Sequence, residues 1–333
     1  MKRLWREYRA SLKAPEVEEV IDLLVHRPLA FLVAKVAFRT SFSANQITLL
    51  SMLIGIVAGL LLIVQASPWH LVAACLVFVS QVLDCADGMV ARMRKSSSEI
   101  GRMLDGVSDS VTLTFVCVGT TWSIVAMHPR PLWLAVGLVV AAIVTAYTGS
   151  LQTMTYDHYK NLFLRMTRPG DGEEDLEEAL VRYERRRAQG LSLARRFIWW
   201  VYLGYQRRNR RFFAWFDPHT AVRLRTLPPY EPARADIYRR HALGPLALQR
   251  SLYGVGFLAF GFALFNAIGH PDWFLVFRLG MLTPIFFLVL WPWQRRASRR
   301  AFAASGITPA TDAACADDAR WNDKPHERPV VTH

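Results

Sequence analysis

The chain has 333 residues, of which 52% are hydrophobic, and it carries a formal net charge of +13. A single soluble domain does not accommodate both values; a membrane protein does, with apolar spans and basic loops serving different solvents. The basic residues flank apolar runs instead of forming a face of their own, which favours a lipid surface over nucleic acid as partner. The cysteines, Cys75, Cys85, Cys117 and Cys315, include no CxxC pair, so neither a disulfide framework nor a thiolate zinc site is expected.

The N-terminus is basic, but its first long apolar run starts near residue 47, too late for the core of a secretory leader. Residues 16–39 are amphipathic and interrupted by Pro28; the part from Leu29 to Arg39 reads as an interfacial helix feeding the first span. Six spans follow, near Ile47–Ala66, Leu71–Val90, Val107–Met127, Leu132–Thr153, Ser251–Ile268 and Trp273–Trp293. Each is close to the ~20 residues that cross the hydrocarbon of a bilayer. Ser43 or Asn45 is positioned to cap the first span. Gly55 and Gly59 in that span form a GxxxG pair, which can bring helices close together.

Charge orients the bundle. Lys2, Arg3, Arg6, Arg9, Lys13, Arg27, Lys35 and Arg39 precede the first span. Arg92, Arg94, Lys95 and Arg102 lie between spans two and three, and Arg295, Arg296, Arg299 and Arg300 follow span six. The opposite loops hold only Arg130 as a formal cation. The positive-inside rule therefore puts both termini in the cytoplasm. Arg278, inside the sixth span near its outer end, is expected to snorkel.

The expected fold is all-α and polytopic, with six transmembrane helices. It divides into a cytoplasmic N-terminus with the interfacial helix (1–42), four spans (43–157), a cytoplasmic basic insert (158–250), two spans (251–294) and a disordered cytoplasmic tail (295–333). Within the insert, Asp171–Glu178 and Arg182–Arg187 suggest a solvated helix with i,i+4 charge pairs. Phe197–Tyr205, followed by Arg207, Arg208, Arg210 and Arg211, suggests a helix on the membrane surface. Asp157, Lys160, Arg165 and Arg168 read more readily as a basic membrane-facing loop than as a site for an anionic acceptor.

The chemistry concentrates in one segment. Asp84, Asp87, Gly88, Ala91 and Arg92 end the second span, and after eight residues Gly101, Asp105 and Asp109 open the third. Buried carboxylates are costly, so such groups usually mark a functional site. Asp84 and Asp87 are three apart, and Asp105 and Asp109 four apart, so each pair shares a helix face. The short loop makes the two spans antiparallel neighbours, and the pairs can converge at one depth. Four carboxylates without His or Cys favour a hard cation such as Mg²⁺ or Mn²⁺, and their charge suits two ions. A metal pair can clamp a diphosphate. Gly88 and Ala91 lack bulk and leave the backbone approachable; Arg92 offers a fork of donors to phosphate. An ion or proton pathway would instead spread its acids over several depths.

This segment resembles the signature of the CDP-alcohol phosphotransferase (CDP-alcohol phosphatidyltransferase) family, DxxDGxxAR, eight residues, then GxxxDxxxD; every fixed position is present. The resemblance implies that Asp84, Asp87, Asp105 and Asp109 bind two metal ions and that Asp109 is also the general base. It implies donor contacts from Gly88, Arg92 and Ser98. Asn45 and Thr48 match a polar lead-in to the first span, although Ala44 stands where that family often has proline. The implied partners are a CDP-alcohol lipid donor, with CDP-diacylglycerol preferred, a small polar alcohol acceptor and membrane lipids. A homodimer is also implied by the resemblance; the charge pattern argues against nucleic acid as partner, and the expected location is the bacterial cytoplasmic membrane. The competing reading is a non-catalytic membrane protein or a divalent-cation-dependent transporter on the same scaffold.

Overall fold

A computed structural model describes residues 2–12, 14–64, 67–96, 99–126, 131–168, 176–224 and 227–308. No strand occurs among the described residues, and six helices are long and apolar enough to cross a membrane. The protein is an all-α integral membrane protein.

Helix α1 (Lys2–Ser11) is followed by a widened turn at Asp22–His26 that runs into α2 (Arg27–Phe38). Pro28 occupies the first turn of α2. A missing N–H costs nothing there, so the proline opens the helix instead of interrupting it. Ala30, Phe31, Ala34 and Ala37 are buried, while Leu29, Leu32 and Val36 face outward. An apolar outer face of this kind suits a helix lying in a bilayer interface.

Helices α3 (Ala44–Leu61), α4 (Ser67–Met93) and α5 (Glu99–Ala126) form the tightest unit, with α3 packed along both of the others. Ser43 caps α3 reciprocally: its Oγ accepts the Gln46 N–H at 3.3 Å, and its own N–H donates to Gln46 Oε1 at 2.8 Å. Ser51 and Ser80 exchange hydrogen bonds between α3 and α4, each hydroxyl donating to the other's carbonyl, at 2.9 and 2.8 Å. The GxxxG pair does bring helices together. A side chain on Gly59 would run into the backbone of Phe115, and one on Gly119 would meet the Gly59 carbonyl oxygen. Only glycine lets α3 and α5 approach this closely.

The remaining elements are α6 (Leu132–Thr167), α7 (Leu176–Ala188), α8 (Leu193–Phe216), α9 (Pro218–Arg223), α10 (Pro232–Leu252), α11 (Val255–Ala267), α12 (Pro271–Phe277) and α13 (Trp291–Ala304). Widened turns at Arg278–Leu282 and Ile285–Leu290 join α12 to α13 around Pro284, whose ring has no N–H to donate.

This half departs from the sequence reading in four places. First, the helix of the fourth span does not end near Thr153: α6 continues to Thr167, past the expected boundary at residue 157. Its extension carries Tyr159, Leu162, Phe163 and Met166 into a core shared with Phe213, Phe216, Tyr238 and Leu246. The segment expected as an insert is thus packed onto the bundle, because its aromatic residues repeat at helical spacing. Asp217, fully buried, anchors it by accepting from Tyr159 Oη at 2.7 Å and Thr220 Oγ1 at 2.6 Å. Second, the helix of the fifth span, expected from Ser251, starts at Val255, because Gly254 breaks it from α10, which ends at Leu252. Third, the expected tail is helical through Ala304, since Ala297, Ala301 and Phe302 form one buried stripe. Residues 309–333 lie outside the described residues, as does the acidic stretch Asp171–Asp175.

Fourth, Arg278 does not snorkel. It is 2% exposed, and its Nη2 donates to Gln152 Oε1 on α6 at 2.6 Å. Gly149 clears the space: a Cβ there would lie 2.9 Å from Nη2. A side-chain amide held at that depth gives the guanidinium an inward partner, which a position in the span alone does not reveal.

Candidate active site

Helices α4 and α5 bring the aspartates together as their spacing requires. One oxygen from each of Asp84, Asp87 and Asp105 lies within 4.8 Å of the others. Asp109, one turn along α5 from Asp105, is not part of that group. Behind them, Thr48 of α3 donates its hydroxyl to Asp87 Oδ2, so the first span orients a carboxylate of the second. Asp84 Oδ1 is buried without a hydrogen-bond partner. An orphaned oxygen among converging carboxylates needs a positive ligand. The donor set is all oxygen, which fits a hard divalent cation. Asp84, Asp87 and Asp105 are able to hold a metal ion.

All four aspartates line one cavity of about 1210 Å³. Its polar end also holds Gly88, Arg92, Asp157 and Lys160. It then continues between α5, α6 and α12, past Val118, Trp122, Val139, Ile143 and Phe274. A single space therefore joins a carboxylate cluster to an apolar groove.

The other residues singled out in the sequence are placed differently from one another. Gly88 and Arg92 line the cavity. Arg92 is held from behind, its Nε donating to the Ser11 carbonyl at 2.7 Å, and its Nη2 is buried without a partner. A Cβ on Gly88 would approach Arg92 Nη1 to 3.4 Å, so glycine leaves this arginine room. Thr48 reaches the site only through Asp87. Asn45 is exposed on the first turn of α3, and neither it nor Ala91 is among the cavity-lining residues. Ser98 lies outside the described residues. Asp157 and Lys160, read as a loop, sit on α6 at the cavity wall and pair at 2.5 Å.

Sequence reasoning missed the N-terminal contribution. Glu19, Asp22 and Arg27 also line the cavity. Arg27 pairs with Glu18 at 2.5 Å, and His26 Nδ1 lies 2.8 Å from Asp22 Oδ1. The Glu19 carboxylate accepts the Phe257 N–H at 3.1 Å, capping α11 from a distant part of the chain. Burial, reinforced by the neighbouring Asp22, pushes the Glu19 carboxyl well above its ordinary range; the Phe257 amide opposes this. The only local signal was an acidic run, Glu16, Glu18, Glu19 and Asp22, within an otherwise basic N-terminus. A second wall comes from α8, through Tyr202, Tyr205, Gln206 and Arg208.

Residues 41–161 match the family model described as CDP-alcohol phosphatidyltransferase. The chain is 34% identical over 98 residues to cholinephosphotransferase 1 of Xenopus laevis, covering 27% of this chain and 24% of that one. It is 31% identical over 111 residues to the phosphatidylinositol phosphate synthase of Corynebacterium glutamicum, covering 33% and 50% respectively. Identity to the bifunctional IPC transferase and DIPP synthase of Aquifex aeolicus is 32% over 116 residues, covering 34% and 25%. The matched region thus spans a quarter to a half of the length of these relatives.

Proposed function

We propose, from this chain's membership of the CDP-alcohol phosphatidyltransferase family, that it transfers a phosphoalcohol group from a CDP-alcohol to an acceptor alcohol and releases CMP. The observation that carries this reading is the continuity of the cavity: four aspartates at one end, an apolar groove leading away from them. That arrangement suits a nucleotide-activated lipid whose diphosphate meets the carboxylate cluster while its chains stay in hydrocarbon. CDP-diacylglycerol is our preferred donor, delivered from the bilayer to a site on the cytoplasmic face.

Asp84, Asp87, Asp105 and Asp109 would hold Mg²⁺ or Mn²⁺, in our reading two ions. Bound there, the metal supplies positive charge to the diphosphate oxygens. The protein's own groups position and deprotonate. Arg92, braced by the Ser11 carbonyl, presents its guanidinium fork to a phosphate oxygen. Asp109 takes the acceptor hydroxyl proton. The freed oxygen forms a bond to the phosphorus next to the donor alcohol, the bond from that phosphorus to the bridging oxygen breaks, and CMP departs with the electron pair. Thr48 fixes Asp87, and positioning of this kind is the main protein contribution to transfer at phosphorus.

The test uses purified full-length protein in lipid nanodiscs with Mg²⁺ or Mn²⁺, CDP-diacylglycerol and a panel of alcohols. CMP release that needs both metal and alcohol, with the product mass of a phosphodiester, is the expected result. Metal-dependent ion flux without CMP would replace the transferase reading with the transporter one. If CDP-choline and diacylglycerol serve as substrates in place of CDP-diacylglycerol, the lipid is the acceptor.

A further inference from the structure

One wall of the cavity comes from outside the segment matched by the family model, which ends at residue 161. Helix α8 builds it and divides its circumference among three environments. Trp199 and Leu203 are buried with Met103 of α5 and with Leu176 and Ala179 of α7, which fixes α8 against the span bearing Asp105 and Asp109. Phe197 and Trp200, by contrast, are 61% and 70% exposed. Tyr202, Tyr205, Gln206 and Arg208 line the cavity that contains the aspartates. Their three- and four-residue spacings bring neighbouring members onto a common face.

The chemistry of this wall is specific. Gln206 Nε2 donates to Tyr202 Oη at 3.0 Å, which leaves the amide oxygen directed by that bond. The Arg208 guanidinium stacks over the Tyr205 ring, 5.8 Å from its centroid. α6 adds Lys160 to the same cavity, its ammonium balanced by Asp157 at 2.5 Å. Hydroxyls and an amide suit a polyol, and a guanidinium suits a phosphate group. A cationic alcohol would seek a free aromatic face, but Arg208 already occupies the Tyr205 ring.

We propose that α8 forms the acceptor subsite and that Arg208, with Tyr202, Tyr205 and Gln206, selects a phosphorylated polyol over an uncharged or cationic alcohol. This rests on the transfer reaction proposed above, since an acceptor subsite presupposes an acceptor. It adds that specificity comes from a helix beyond the motif-bearing region, so donor use and acceptor choice are separable by mutation.

The experiment compares wild type with Arg208→Gln and Arg208→Lys, as full-length protein in nanodiscs. Acceptors are glycerol 3-phosphate and inositol 1-phosphate, set against glycerol, inositol and choline. Wild type should prefer the phosphorylated alcohols. Arg208→Gln should raise their KM about tenfold or more, the scale of a lost charged hydrogen bond, with kcat and the KM for CDP-diacylglycerol unchanged. Arg208→Lys should recover part of the loss. A purely structural arginine would instead lower kcat and thermal stability together, which would overturn the proposal, as would an unchanged KM or a wild-type preference for glycerol, inositol or choline. Calorimetric titration of the two phosphorylated alcohols without donor separates the two claims. Arg208-dependent binding without CMP release from any acceptor would sink the transfer reading, and the acceptor role with it, and leave a binding site for phosphorylated polyols. No Arg208-dependent binding alongside normal CMP release would do the reverse.

Discussion

The two halves of the bundle are held together by different means. Between α3 and α5 the backbones touch, at Gly59, Phe115 and Gly119, and short hydroxyl side chains join α3 to α4. Among α6, α8, α10 and α13 the contacts are aromatic, with Phe216 of α8 stacked on Trp291 of α13 at a ring separation of 5.0 Å and Tyr238 of α10 tilted against Phe302 of α13 at 6.1 Å. Backbone contact leaves almost no freedom to slide, whereas large rings tolerate repacking. The first arrangement suits carboxylates that must converge on one point. The second suits a wall that distinguishes among ligands. Chemistry and recognition would accordingly sit in different halves.

The largest effect that tests this division is on turnover. Asp109→Asn is expected to cut CMP release about 100-fold or more, with the thermal transition retained; normal release would remove Asp109 as the base and move the chemistry elsewhere. Next comes stability. Phe216→Ala should cost about 3–5 kcal/mol, because a fully buried ring leaves a cavity, measured as a lowered unfolding midpoint in detergent. Gly59→Leu should lower the midpoint as well, because a Cβ there meets the Phe115 backbone at 2.5 Å and nothing flexible can yield; it should depress CMP release per folded molecule more than Phe216→Ala does, since it pushes α5 and its aspartates away from α3. If Phe216→Ala harms turnover more per folded molecule, the comparison fails.

The smallest effect concerns pH. The Glu19 carboxyl is raised in the folded protein by burial and by Asp22, so the native state holds a proton that the unfolded chain loses near the ordinary glutamate value. Its contribution is complete below that value and is lost as pH rises through the folded one. Glu19→Gln keeps an oxygen for the Phe257 amide but removes the titration. Its melting temperature should therefore fall less between about pH 5 and about pH 8 than that of wild type.

The sequence disclosed the site better than its surroundings. Hydropathy located the spans because a bilayer demands long apolar runs. The three- and four-residue aspartate spacings located the cluster because helical geometry is local. Arg278 was misread because its partner, Gln152, is 126 residues away. Residues 158–250 were assigned to an insert because their charge obscured an aromatic periodicity that only packing reveals. The α8 wall was hidden for a related reason: Tyr202, Tyr205, Gln206 and Arg208 gain meaning only when Met103 receives Trp199 and Leu203.

The Glu19 cap on α11 has a consequence in time. Its two ends are separated by 238 residues. Other contacts fix the same stretch late, with the Tyr156 hydroxyl donating to the Val17 carbonyl at 2.5 Å and Arg250 Nη1 to the Pro15 carbonyl at 2.7 Å. During synthesis the N-terminal segment must therefore wait, its acids still wet, while four spans enter the bilayer. It can settle only after Phe257 has been made. Contacts between such distant residues close slowly, so the cavity gains its last wall from a segment translated before any of the spans. A nascent protein would carry its assembled aspartates before it could shield them, and shielding, not the carboxylate cluster, would mark the moment of maturity.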